Sequence, residues 1–398
     1  MDSDQPDKRF IRRIKLENLL SFGPDTPPLE LQNLNILIGP NASSKSNLIE
    51  ALSLMRSTPA SVSSDSNLQG VIRRGGGASE WVWKGGRGQR ASLEFEIGYS
   101  KEPLPLAHIL SFHDAQMFHL DDERVESQAS LRSAGGFSFY YRFEHGQAVI
   151  RSGGEFEERK LPYVKADNVS ILAQLRDPEQ YPEIAYLADS YEKIRIYREW
   201  TFGRHAILRE PQSTGGRTDR LEEDFSNFGV FLSRLRRAPK AKTEILEGLR
   251  DLYDGVTDFD IDVQTAHVHF TESDFSVPAT RLSDGTLRYL CLLAILCDPE
   301  PPPLICIEEP ELGLHPDILP KLADLLVLAS QRTQLIVTTH SDILVDAMTE
   351  RPEVVVVCEK HAHRTEMRRL KRDDLARWLE KYRLGQLWIR GDIGGTRW

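Results

Sequence analysis

Apolar residues along this chain fall into two kinds of pattern, and the second half shows them most plainly. Pro303–Ile307 is a short, fully apolar run, and Gln334–Thr338 and Glu353–Val357 have apolar centres. Helical spacing separates them, after Leu282 and again over Pro316–Ala329. Short apolar strands alternating with helices predict a parallel sheet covered on both faces. Near the start, residues 10–20 alternate as a strand does, Leu29 opens a second, and Leu34–Ile38 is a third. Gly39 ends that strand, and Ser46–Met55 has the apolar spacing of a helix. Residues 57–90 are rich in Ser, Gly and Arg and read as loops. Strand-like alternation returns over 91–99, 137–144 and 147–151, which predicts an antiparallel β-layer. From about 179 to 255 the pattern turns helical, and 259–270 alternates as a hairpin would.

These patterns predict an α/β chain in three parts. Residues 1–178 carry the mixed β-layer, 179–258 form a helical insertion, and 259–398 complete a lobe with a parallel-sheet core. No internal repeat is visible, and no sustained heptad pattern lies between residues 46 and 283.

Composition adjusts this picture little. The chain has 398 residues, 40% hydrophobic and 28% charged, which is ordinary for a globular protein. Its net charge of −10 does not advertise nucleic-acid binding. Four cysteines lie in apolar runs without CxxC pairing, as buried reduced thiols would. The opening MDSDQPDKRF lacks an apolar region, so no leader is expected. No run approaches the about 20 apolar residues of a spanning helix. A cytoplasmic protein without membrane contact is expected.

The chemistry lies in four short segments. Gly39-Pro40-Asn41-Ala42-Ser43-Ser44-Lys45-Ser46, followed by Asn47, fits the phosphate-binding loop spacing, with Ser44 where glycine is usual. Such a loop turns backbone N–H groups and a helix N-terminus toward phosphates. Lys45 would reach the β- and γ-phosphates of ATP, and the Ser46 hydroxyl would ligate Mg²⁺. The strand Leu304-Ile-Cys-Ile runs into Glu308 and Glu309, a pair suited to orienting a metal's water shell and to polarising an attacking water. Glu308 stands where Asp is usual, so a metal contact through water is expected. Glu309 is the candidate general base. Leu282-Ser283-Asp284-Gly285-Thr286 opens a helix, with Ser283 as its cap and free N–H groups for an anion. His340, in Thr-Thr-His-Ser at the end of another apolar strand, lies where α/β sheets bind ligands.

The ordered set GPNASSKS, LSDGT, ICIEEPE and TTHS resembles the ABC ATPases, and within them the RecF-like and OLD-like group of anti-phage and DNA-repair systems. The opening IKLENLLSFGP and the strings EEPELGLHP, THSDIL and LGQLWIRGDIGG carry the resemblance across nearly the whole chain. It implies an ABC-ATPase head with a mixed β-layer lobe, a parallel-sheet core lobe and a helical insertion. It also implies ATP and Mg²⁺ as ligands and a homodimer with ATP at the interface, in which Ser283 and Gly285 contact the γ-phosphate in trans. Asp284 would repel that phosphate unless its side chain points away. A glutamine that senses Mg²⁺ is a family feature, and Gln174 is the candidate.

Related nucleases carry a further domain after the ATPase, and only 58 residues follow His340. Any nuclease is therefore expected on a separate effector chain. DNA or RNA is the other candidate partner, through the basic stretches 234–242 and 360–383; the acids within the second read better as a solvated helix face. A transporter subunit is the first alternative, disfavoured because Lys45 and Ser283 lie 238 positions apart. A scaffold with decayed ATPase is the second, disfavoured by Lys45, Glu309 and His340.

Overall fold

The computed structural model describes residues 9–396, except 42, 62, 87–89, 102–104, 114–117, 128–138, 145, 153–156, 162–167 and 253–254. Its centre is a six-stranded sheet in the order β10-β14-β15-β3-β16-β17. The strands are β10 (Arg195–Tyr197), β14 (Leu304–Glu308), β15 (Gln334–Thr338), β3 (Leu34–Ile38), β16 (Val355–His361) and β17 (Arg364–Arg369). The first five run parallel, and β17 pairs antiparallel at the edge. Alternation along these strands fills two separate cores. Leu34, Ile36, Ile38, Ile305 and Ile307 face one, while Leu37, Leu304, Cys306 and Ile336 face the other. Both faces of the sheet are covered, as continuous apolar runs require.

The second core is closed by an eight-stranded antiparallel layer, β2-β1-β4-β5-β6-β7-β8-β9. It comprises β1 (Ile11–Glu17), β2 (Leu29–Glu30), β4 (Arg90–Ile97), β5 (Leu106–His113), β6 (Leu120–Ser127), β7 (Phe139–Glu144), β8 (Gln147–Ser152) and β9 (Glu157–Lys160). Three of these, β5, β6 and β9, are absent from the alternation pattern. β6 reads LDDERVES, and its acids hide it; Glu123 is nonetheless fully buried. Its carboxylate accepts from Ser170 Oγ at 2.5 Å and Ile171 N at 2.9 Å, which offsets its burial. Gln334 joins the two sheets: its amide donates to Ile11 O at 2.7 Å and accepts from Ile11 N at 2.9 Å.

Eleven helices are described. α1 (Lys45–Arg56) packs in the second core, and α2 (Leu68–Arg74) and α3 (Ala78–Trp81) arise in the stretch that reads as loop. Buried Leu68, Ile72 and Trp81 explain them: tertiary packing holds helices that composition alone disfavours. α4 (Pro182–Lys193), α5 (Phe228–Arg237) and α6 (Pro239–Leu252) lie in the helical stretch, but β10 interrupts it and enters the central sheet. A small sheet follows, β11 (Val256–Ile261), β12 (Val268–Glu272) and β13 (Phe275–Pro278). α7 (Asp284–Leu296), α8 (Leu319–Ala329), α9 (Asp342–Asp346), α10 (Arg372–Leu379) and α11 (Leu384–Ile389) complete the chain. No helix among the described residues is long and apolar enough to cross a membrane.

The basic stretches come out differently from their sequence readings. Within 360–383, Arg364–Arg369 form strand β17, and only Arg372–Leu379 form a helix, α10. Most of the cations in 234–242 are paired with acids outside the stretch. Arg234 pairs with Asp298 at 2.7 Å, Arg236 with Asp258 at 3.2 Å, and Lys242 with Asp258 at 2.9 Å.

Candidate nucleotide site

Every parallel strand of the central sheet ends on the same side, so its carboxyl ends gather the candidate chemistry. From β3 the chain turns through Gly39 into the loop that opens α1. A Cβ on Gly39, whose φ is +150°, would lie 2.2 Å from the Cys358 carbonyl oxygen of β16. The loop therefore folds directly against the neighbouring strand, and only glycine permits it. Ser43 N donates to Pro40 O at 3.1 Å to close the turn. Ser44 caps α1 in the left-handed conformation, φ 72° and ψ 27°, and its side chain caps nothing. A non-glycine residue there costs about 1–2 kcal/mol. Ser44→Gly is expected to raise the thermal midpoint by relieving this strain; a lowered midpoint would show that the hydroxyl stabilises the loop.

Lys45 is buried, and Nζ donates to Gly39 O at 2.7 Å and Pro40 O at 3.3 Å. Burial lowers its pKa, opposed by the carboxylates of Glu309, Glu311 and Glu308. Ser46 lies beside it at the cleft, and Asn47 Nδ2 donates to Ser21 Oγ at 2.8 Å. Asn41, Ser44, Lys45, Ser46, Glu309 and His340 share one cleft of about 1000 Å³. Ala42 lies outside the described residues.

Glu309 follows β14 and adopts φ 47°, which a side chain rarely takes. Its N–H donates to Thr338 O at 3.0 Å. Two further groups clamp its loop: Trp200 Nε1 donates to Glu308 O at 2.9 Å, and Arg288 Nη2 to Glu309 O at 2.9 Å. Arg288 lies over the Trp200 ring at 4.6 Å, and burial lowers its pKa to about 10. The Glu309 carboxylate lies 3.6 Å from His340 Nε2. His340 N donates to Glu311 Oε1 at 2.7 Å, which fixes the imidazole's backbone. Burial lowers the His340 pKa, and the nearby Lys45 charge lowers it further, while Glu309 opposes both. The imidazole is therefore neutral at pH 7.

Glu308 does not line this cleft. Arg198 Nη2 donates to Glu308 Oε1 at 3.1 Å, and Nη1 to Glu50 Oε1 at 2.5 Å. Burial raises the Glu308 pKa against the Arg198 charge. Gln174 is also outside the cleft: its amide donates to its own backbone neighbours, Val169 O at 3.2 Å and Ser170 O at 3.4 Å.

Ser283, Asp284 and Gly285 stand apart from the cleft, at the start of α7. Ser283 Oγ caps the helix, accepting from Thr286 N at 3.1 Å. A Cβ on Gly285 would lie 2.8 Å from Gly313 O, so the segment packs on the loop after Glu311. The Asp284 carboxylate accepts from Arg209 Nη2 at 2.6 Å, and Arg209 also donates to the carbonyls of Leu282 and Thr280 at 2.8 Å each. That hydrogen bond holds the Asp284 pKa below the usual carboxylate range.

Arg198, Trp200, Arg209 and Arg288 are absent from the motif reading, because each acts through a distant partner. The first two had one local signal. Arg195-Ile-Tyr197 is a short buried strand, and polar residues after such a strand fall at the ligand end of the sheet.

A family model described as "AAA domain, putative AbiEii toxin, Type IV TA system" matches residues 34–104 and 138–346. The chain belongs to this AAA_21 family. No curated protein matches the sequence. Among solved structures, an Smc head bound to the C-winged helix domain of ScpA superposes with a TM-score of 0.56 at 12% identity, covering 92% of this chain and 99% of that one. An Smc head with an extended coiled coil, bound to the C-terminal domain of ScpA from Pyrococcus furiosus, gives 0.54 at 10% identity, covering 94% and 99%. This AAA_21 chain thus has the α/β fold of an ABC-type ATPase head.

Proposed function

We propose that this chain binds and hydrolyses ATP as an ABC-type switch of the RecF-like and OLD-like kind. The observation that carries the reading is the convergence of Lys45, Ser46, Glu309 and His340 on one cleft. The residues suit Mg²⁺-ATP. Ser43 Oγ is buried without a hydrogen-bond partner, as a group awaiting a polar ligand is. The oxygen donors are hard, as Mg²⁺ requires. Glu308, bonded to Arg198, and Gln174, bonded to Val169 O and Ser170 O, lie outside the cleft; Ser46 would hold the ion. Bound there, Mg²⁺ supplies neutralisation of charge on the β- and γ-phosphate oxygens.

The chain's own part in the reaction follows from position and charge. The N–H groups of the loop that opens α1, Ser44, Lys45 and Ser46 among them, would cradle the phosphates, and the Lys45 charge would offset theirs. Glu309 takes a proton from water as the water oxygen bonds to the γ-phosphorus. The bond from that phosphorus to the bridging oxygen breaks, and ADP and phosphate leave. Neutral His340 orients the carboxylate or the water by hydrogen bonding. Steady-state phosphate release tests this directly. Because the His340 pKa is lowered from 6.5, its neutral form persists above that value. Turnover is expected to hold a plateau through pH 7 and fall only as pH drops below 6.5. A rise in turnover on acidification, or no release at any pH, would overturn the assignment.

ATP would close a homodimer, with Ser283 and Gly285 of one subunit over the phosphates of the other. The Arg209 guanidinium, 2.6 Å from the Asp284 carboxylate, would offset its repulsion of a phosphate. Arg209→Gln is expected to weaken ATP-dependent association about tenfold, roughly 1.4 kcal/mol. Unchanged association would mean that Asp284 does not face the interface. The internal pairing of 234–242 favours a separate effector protein over nucleic acid as the partner. The family's description as a type IV TA toxin supports a defence role.

A further inference from the structure

No residue of 384–395 lines the cleft of Lys45 and His340, yet this stretch packs on the backbone at two of its edges. One end meets α9, the short helix that follows His340 and Ser341. A Cβ on Gly385 would lie 2.4 Å from Asp342 O, so α11 and α9 touch backbone to backbone. Leu384 N donates to Thr349 Oγ1 at 3.0 Å, and Arg383 pairs with Asp346. Leu384, Leu387 and Ile393 are buried in the core that also holds Ile36 and Ile38. The stretch is therefore braced firmly on the His340 side.

Its other end returns to the phosphate loop. Gly395 has a φ of +72°, and a Cβ there would lie 3.0 Å from Val357 Cγ1, 3.2 Å from Trp388 Nε1 and 3.5 Å from Gly39 Cα. Three hydrogen bonds hold this turn. Gly395 N donates to Glu359 Oε1 at 2.9 Å, Trp388 Nε1 to Gly395 O at 3.0 Å, and Arg368 Nη2 to Ile393 O at 2.9 Å. Glu359 directly follows Cys358, whose carbonyl crowds Gly39. Gly39 is thus confined by two elements, β16 and the turn at Gly395. Its own carbonyl accepts from Lys45 Nζ at 2.7 Å, so whatever fixes Gly39 also fixes the lysine. A loop already held in its binding shape has less freedom to lose when a ligand arrives, and binds more tightly for that reason.

The apolar contacts of Leu384, Leu387 and Ile393 are enough to seat the stretch on the core. They do not require both backbone groups of Gly395 to be bonded beside Gly39. We propose that Gly395, held by Glu359 and Trp388, is a positioning residue for the phosphate loop, keeping Gly39 and Lys45 in the conformation that receives phosphates. This role rests on the reading of the cleft as an ATP site. Glu359 and Trp388 lie outside that cleft and act on ATP only through Gly395.

The test measures the ATP dissociation constant by calorimetry and kcat by phosphate release, on the full chain. Glu359→Ala removes the acceptor for the Gly395 N–H. It is expected to weaken ATP binding about tenfold while kcat stays within about twofold of the wild type. Glu359→Gln keeps an oxygen that accepts the same hydrogen bond, and is expected to restore wild-type binding. Trp388→Phe keeps a ring in the core but loses the donor to Gly395 O, and weaker ATP binding is expected here too. A lowered thermal midpoint of Glu359→Ala with an unchanged dissociation constant would make the turn purely structural and overturn the proposal. Equal weakening by Glu359→Gln would overturn it as well, because the charge and not the hydrogen bond would then be at work. Should Glu359→Ala fail to fold by circular dichroism, Trp388→Phe decides alone, and unchanged binding overturns the proposal. A wild type that does not bind ATP refutes the reading of the cleft and this role with it; wild-type binding that the variants share refutes the positioning role alone.

Discussion

Glu309→Gln is expected to lose about 10²–10⁴-fold in ATP turnover while still binding ATP. That range corresponds to roughly 3–5 kcal/mol of transition-state stabilisation. Gln keeps the shape of the side chain, so the backbone φ of 47° and the hydrogen bond to Thr338 O persist. What is removed is the carboxylate that accepts the proton, 3.6 Å from His340 Nε2. Phosphate release and the dissociation constant of a fluorescent ATP analogue separate the two effects. Equal turnover in both proteins would mean that another group takes the proton, and Glu311 would then be the nearest carboxylate to test.

Gly39→Ala is expected to be the most damaging single-carbon change at the site. The added Cβ would sit 2.2 Å from Cys358 O and 2.7 Å from Ser43 Oγ. The first neighbour is backbone in a parallel strand of the central sheet, so it yields only if β3 and β16 separate. Overpacking of this kind costs about 1–3 kcal/mol, and the positive φ adds to it. The loop would move, and with it the carbonyls that hold Lys45 Nζ. A lower thermal midpoint together with lost ATP binding is the expected result. Wild-type binding in the alanine variant would show that the loop reaches phosphates in another arrangement.

Much of the fold is written in local pattern. The apolar runs at Leu34, Leu304 and Gln334 became adjacent parallel strands, because nothing but a doubly covered sheet buries such runs. The Ser283 cap was visible for the same local reason. What local pattern hides is burial bought by long-range partners. Strand β6 looks like surface because Asp122 and Glu123 are charged, yet Ser170 and the Ile171 N–H make Glu123 tolerable inside. Arg288 lies in an apolar helix and gives no hint that it holds the Glu309 carbonyl. The basic run at 234–242 misleads in the opposite sense, since its acidic partners come from residues 258 and 298. Charge along a sequence shows which side chains are ionised, while only the fold shows which are already paired.

ATP is proposed to bind in the cleft of one chain, while the segment Ser283–Gly285 stands away from that cleft, so the proposed dimer needs a second copy to bring it there. The most direct test of the account is therefore the mass in solution of the Glu309→Gln protein, measured by light scattering with and without Mg²⁺-ATP. The account predicts a shift from monomer to dimer on adding ATP, and no shift when Ser283→Arg is also present. A mass indifferent to ATP, or a dimer that survives Ser283→Arg, would contradict it.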